Sequence, residues 1–214
     1  MIKLLYEDRE VIVAVKPVGV ISESAADGSG FADLLSVQTQ SSYIGVVHRL
    51  DQNVGGVMVY AKTARAAAEL SRATTEGKLQ KSYLALVHGC PTPSTGELRD
   101  LLFYDRMQGK SFVVERQRKG AKEAILHYEV LKTKDIAPDR PASLLRIHLI
   151  TGRTHQIRVQ FSSRHYPLLG DRKYGAPEGG APALFCHALR FSHPVTKKPM
   201  EFSEIPDERF SDWL

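Results

Sequence analysis

Residues 97–150, ELRDLLFYDRMQGKSFVVERQRKGAKEAILHYEVLKTKDIAPDRPASLLRIHLI, decide the fold class. Four runs within them, Glu97–Phe103, Ser111–Glu115, Ala124–Lys132 and Ser143–Ile150, are rich in aliphatic and aromatic residues and predict strands. The stretch 104–122 carries Arg106, Lys110, Arg116, Arg118, Lys119 and Lys122, a basic loop around the second of these strands. Further upstream, Ile2–Tyr6 and Val11–Val15 read as strands joined by the charged turn Glu7–Glu10. Lys16-Pro17-Val18-Gly19 ends the second, because Pro lacks the ladder donor and Gly permits a tight turn. Residues 22–30 (SESAADGSG) are a polar loop, and Val54–Lys62 is a further strand. Thr63 caps an Ala-rich helix reaching about Thr75, which Gly77 stops.

Lys81–His88 predicts a buried strand, followed by a Pro/Gly-rich connection at 89–96. Downstream, Thr154–Arg164 reads as an amphipathic helix, with Ile157 and Phe161 on one face. A flexible loop (APEGGAP) follows Gly170 and Gly175. Phe185–Ser192 and Met200–Ser203 then predict a hairpin around HPVTKKP, and a short terminal helix ends at Trp213. Strands outnumber helices and do not alternate with them. The expectation is therefore α+β, a mixed and largely antiparallel sheet with flanking helices, and not a doubly wound parallel sheet.

The 214 residues, 43% hydrophobic, favour a single domain spanning 1–214. Lys and Arg number 29 against 24 Asp and Glu, a formal charge of +5, which favours a polyanionic partner. Cys90 and Cys186 form no CxxC pair and are expected to be free thiols in a reducing compartment. The apolar start is broken by charge too soon for a signal peptide, and no window approaches a membrane span. A cytoplasmic protein without membrane contact is expected.

Three segments concentrate polar residues that a core would not choose. His48-Arg49-Leu50-Asp51 runs into Gly55-Gly56 and an apolar strand, where charge is costly unless paired or used. A solvated surface loop explains the spacing equally well. Residues 150–158 (ITGRTHQIR) form a strand-to-helix turn crowded with donors, suited to a phosphate or a base. Taken alone, that turn reads as an ordinary capped helix with arginines facing water. Lys81-Ser82-Tyr83 opens an apolar strand, and Tyr83 by itself reads as core. His48, His155 and His187 lack HxxxH, HxH or HExxH spacing, so no metal site is expected. No GxGxxG, GxxxxGK[ST] or GxSxG is present, which removes the common nucleotide-binding and hydrolase readings.

In combination these segments resemble the RluA-type pseudouridine synthases. The stretch HRLDQNVGGVMVYAKT at 48–63 resembles the family signature, whose HRLD carries the catalytic aspartate. The likeness continues, in the family's order, through Lys81–Val87, TGRTHQIRVQF at 151–161, Gly170–Gly175, His187-Ala188 and His193-Pro194. The opening KPVGV and the GAKEAILHYEVL segment fit as well. The resemblance implies the pseudouridine synthase catalytic fold and an RNA-modifying isomerase that breaks the glycosidic bond of a uridine, rotates the uracil and rejoins it through carbon. No atom is lost and no redox change occurs, so neither cofactor nor metal is implied.

On these residues the resemblance implies Asp51 as the catalytic carboxylate and Arg158 as the cation that keeps it ionised. Tyr83 offers a face to the extruded base, Arg49 fills the gap it leaves or holds its phosphate, and Ile157 closes the other side. The partner is RNA, ribosomal or transfer, for rRNA or tRNA processing. A monomer without an obligatory protein partner is expected, as is the lack of an N-terminal RNA-binding appendage. Two departures stand out: Val54-Gly55-Gly56, where the family shows small hydroxyl residues before the glycine, and Gln160 in place of a common histidine. Two rival readings are a noncatalytic RNA-binding protein of this fold and a metal-dependent RNA hydrolase using His48, Asp51 and His155.

Overall fold

The computed structural model describes all 214 residues, in two compact units. The first comprises residues 1–81 and 185–206, and the second residues 82–184 and 207–214.

In the first unit, β1 (Leu4–Glu7) pairs antiparallel with β2 (Val11–Lys16), and β2 with β4 (Gly55–Ala61). The opposite edge of β4 is shared. The two-residue β3 (Gly45–Val46) takes its end, and β10 (Leu184–Ser192) pairs parallel with its start at Gly55 and Gly56. β11 (Pro199–Ser203) completes the expected hairpin with β10. Every residue of β4 is buried, as a strand with partners on both edges and covered faces requires. The helix α2 (Ala64–Thr75) starts where expected, with the Thr63 hydroxyl accepting from Ala66 N at 3.1 Å.

One helix was not expected. α1 (Phe31–Thr39) buries Phe31, Ala32 and Leu35, and Phe31 packs against the Tyr60 ring at 5.8 Å. Its cap is Gly30, whose N–H is taken by the Asp33 carboxylate at 3.2 Å, so no Ser, Thr or Asn marks the start.

The second unit is an antiparallel sheet whose strand order departs from chain order. β5 (Gln80–His88) pairs with β9 (Arg140–Leu149), β9 with β8 (Lys122–Ala137), β8 with β6 (Thr95–Asp105), and β6 with β7 (Lys110–Val114). The four strands expected within 97–150 are β6 to β9, each displaced by a few residues. Leu102, Ala124, Val159 and Tyr174 form a core cluster that brings β6 and β8 together with the third helix, α3 (Gln156–Ser162).

α3 corrects the expected amphipathic helix 154–164. It is shorter, because His155 before it adopts a left-handed conformation (φ 54°), and it has no polar face. Gln156 through Phe161 are all buried. The terminal helix is a single 3₁₀ turn at Glu208–Phe210.

Candidate active site

The HRLD segment is fixed to the first unit mainly through its backbone. His48 is buried, and its Nε2 accepts the Val59 N–H of β4 at 3.1 Å, which places the ring proton on Nδ1. Burial, reinforced by the charge of Lys81, pushes His48 down to about 3, so it is neutral at physiological pH. Leu50 is buried and doubly tied to Ser22, whose hydroxyl accepts from Leu50 N at 3.0 Å and donates to Leu50 O at 2.9 Å. Arg49 and Asp51 flank this buried leucine, Arg49 exposed and Asp51 half-buried. Arg49 Nη1 donates to Glu23 Oε1 at 2.6 Å. The Asp51 carbonyl accepts from Val54 N at 3.0 Å, turning the chain into β4.

Beneath this turn lies a lysine that the pattern of residues did not single out. Lys16 ends β2 fully buried, and its Nζ donates to the carbonyls of Pro17, Val20 and Gln52 at 2.9, 2.6 and 3.2 Å. Gln52 also bonds Gly19 through both its main-chain oxygen (2.9 Å) and its side-chain amide (3.0 Å). Burial drives Lys16 down to about 8, and the Asp51 charge opposes that shift. A lysine closing an otherwise apolar strand is the sequence signal for such a buried cation.

The other expected site residues, Tyr83, Ile157 and Arg158, belong to the second unit. Tyr83 lies on β5 opposite Ile147, 4% exposed, and Ile157 is buried on α3. Arg158 grips Asp171 at two points, Nε to Oδ2 at 2.7 Å and Nη2 to Oδ1 at 2.8 Å. Asp171 lies in the Gly170–Gly175 run, where the family resemblance attaches no role to it. Tyr174 lies under two cations, Arg158 at 4.9 Å and Lys110 at 5.0 Å from its ring. Its hydroxyl accepts from Ser111 N at 2.8 Å and meets His155 Nδ1 at 2.9 Å, while burial raises it to about 12. In the basic stretch, Arg116, Arg118 and Lys119 are exposed, and the Arg118 guanidinium stacks 3.9 Å from the centre of the Phe103 ring.

The family model for RNA pseudouridylate synthases matches residues 10–163. The chain belongs to the RluA-type RNA pseudouridine synthases. An uncharacterized RNA pseudouridine synthase of Aquifex aeolicus is 36% identical over 236 residues, covering 100% of this chain and 73% of that protein. Ribosomal large subunit pseudouridine synthase D of Vibrio cholerae is 33% identical, covering 97% of this chain and 68% of its own length. Among solved structures, human RNA pseudouridylate synthase domain containing 1 shares the fold with a TM-score of 0.80 at 24% identity, over 97% of this chain and 84% of that one. As a pseudouridine synthase the chain is an isomerase acting on RNA, and its mixed α+β sheet is the fold expected.

The departures from the synthase pattern have structural counterparts. Val54 is buried, and a Cβ added at Gly55 would meet the Lys16 carbonyl oxygen at 3.2 Å and the Phe185 ring at 3.4 Å, a tight fit for any side chain. Gly56 after it (φ 136°), the glycine of the family pattern, lies where a Cβ would come within 2.5 Å of the Cys186 backbone, so only glycine fits. Gln160 is fully buried and its amide donates to Asp100 at 2.8 Å and to the carbonyls of Leu98 and Ala124. That residue acts through the core of its own unit. For the rival hydrolase, His48 is unsuited as a ligand, since Nε2 is engaged by a backbone amide and Nδ1 carries the proton.

Proposed function

We propose that this synthase converts uridines of structured ribosomal or transfer RNA to pseudouridine with Asp51 as its catalytic carboxylate. The observation that carries this reading is the frame around Leu50. One buried residue is tied at both backbone atoms, so the carboxylate beside it starts from a fixed position instead of a mobile loop. Isomerisation breaks the N1–C1′ bond and forms C5–C1′, with the proton leaving C5 balanced by one gained at N1. A carboxylate serves by adding to the nucleoside or by taking a proton, and either route needs it ionised. The Lys16 charge lies beneath the same turn, where Asp51 opposes the loss of its proton.

Tyr83 is the stacking face for the extruded base, Ile157 an apolar wall, and Arg49 and Arg158 the cations of the site. Ribosomal RNA is favoured by the name of the Vibrio cholerae relative. The enzyme works as a monomer in the cytoplasm, with no obligatory protein partner. The test is Asp51→Asn, which keeps shape and loses charge. Pseudouridine formation in a transcript that the wild type modifies should vanish while RNA affinity and melting temperature stay close to wild type. Appreciable turnover by the variant would sink the assignment.

A further inference from the structure

The polar loop 22–30 shows a specific relationship to the HRLD segment. Ser22 holds the backbone of Leu50, and the next residue, Glu23, holds the side chain of Arg49. The loop itself is anchored. The Tyr60 hydroxyl donates to Ser22 O at 2.9 Å, Asp33 accepts from Ala25 N at 2.8 Å, and the Glu23 carbonyl occupies the space a side chain at Gly30 would need. Glu23 is thus fixed at its main chain and free only in its side chain.

We propose that Glu23 is a placeholder for RNA at Arg49, its carboxylate occupying in the free enzyme the guanidinium that an RNA phosphodiester takes on binding. The proposal rests on the reading of Arg49 as an RNA contact. A carboxylate and a phosphodiester present the same chemistry to a guanidinium, two oxygens sharing one negative charge. The pair is suited to exchange because it is exposed, 68% for Arg49 and 40% for Glu23. Pairs of that kind contribute little net stability and are readily given up. The anchored main chain keeps the displaced carboxylate at the mouth of the site. An RNA that gains Arg49 must therefore bring enough other contacts to offset the repulsion. In this way Glu23 acts as a specificity-determining residue, weakening the hold on RNA that offers a phosphate and nothing more.

The experiment compares wild type, Glu23→Gln, Arg49→Ala and the double variant on a fluorescein-labelled stem–loop RNA with unpaired uridines. Binding is followed by anisotropy across a salt series. Glu23→Gln should bind roughly two- to five-fold more tightly at low salt, the range an exposed ion pair can supply. Its log–log salt dependence should be steeper, since Arg49 is then free to displace a counterion from RNA. In the Arg49→Ala background the same substitution should change affinity far less. An equal gain in both backgrounds would overturn the placeholder, leaving Glu23 a general repulsive charge. So would a Glu23→Gln protein that binds like the wild type while Arg49→Ala binds more weakly, a result that leaves the Arg49 reading standing. If Arg49→Ala binds and turns over RNA normally, the reading of Arg49 fails and the proposal with it.

Discussion

Arg158 and Asp171 form a two-point ion pair, closed at 2.7 and 2.8 Å, with both side chains almost fully buried. It ties α3 to the turn that opens the 172–174 segment. Removing one member of such a pair takes a buried partner from the other charge, a loss of up to about 3–5 kcal/mol. Asp171→Ala should lose stability of that order in urea unfolding. Arg158→Lys keeps the charge but cannot reproduce the fork, so it should lose both stability and turnover. The double variant Asp171→Ala with Arg158→Met should regain part of the stability and none of the turnover. An Asp171→Ala protein within about 1 kcal/mol of wild type would show that the pair matters little.

Lys16 predicts a dependence on alkaline pH. Its pKa falls from 10.5 in the unfolded chain to about 8 in the folded one. Between those values the unfolded state binds more protons, so this group makes stability rise with pH across roughly 8 to 10.5. Lys16→Met removes the titration and leaves the Pro17, Val20 and Gln52 carbonyls without their shared donor. The variant should be less stable by about 1–3 kcal/mol at neutral pH, with the gap to wild type widening above pH 8. A gap that narrows with rising pH would contradict the sign.

The exposed cations Arg116, Arg118 and Lys119 are expected to bind phosphates. Arg118 is already oriented by its stack on Phe103. Reversing all three charges should weaken RNA binding and flatten the log–log salt slope by roughly two to three, since each phosphate no longer neutralised lowers it by about 0.7–0.9. An unchanged slope would reduce this stretch to a solvated surface.

Tyr83 is separable by substitution. Tyr83→Phe keeps the ring, whereas Tyr83→Ala loses it and opens a void at a position only 4% exposed. Such a void costs about 3–5 kcal/mol, so assays belong at a temperature where the variant is shown to be folded. Tyr83→Ala should raise KM far more than Tyr83→Phe. Equal, severe losses of kcat in both would instead give the hydroxyl an acid–base role.

What the sequence revealed follows the range of the interactions involved. The helix 64–75 was legible because Thr63 announces its cap locally. Helix 31–39 was not, because a glycine stands at its cap and Asp33 acts from inside. The helix after His155 was read as amphipathic from Ile157 and Phe161. Its polar residues find partners far along the chain, Gln156 at Ile125, Gln160 at Asp100 and Arg158 at Asp171, so they are buried too. Periodicity cannot see such partners. The charged HRLD run was visible as an oddity beside an apolar strand. Ser22 and Glu23 were not, since what they do depends on contacts with residues 49 and 50, and Lys16 offers only the weak signal of a cation closing an apolar strand.

The parallel pairing of Gly55 and Gly56 with Phe185 and Cys186 joins strands that have all the strands of the second unit's sheet between them in the chain. A ribosome, adding about 5–20 residues each second, therefore completes the second unit's sheet while β4 still lacks one of its neighbours. Only when the last strands emerge does that edge close, and until then the fully apolar 55–61 segment is a hazard for pairing with other chains. The close approach at Gly56 sharpens the point, for any side chain there would hinder this late pairing. Substitution at this glycine should thus appear first as a loss of yield during synthesis, before any change in the chemistry of the finished enzyme.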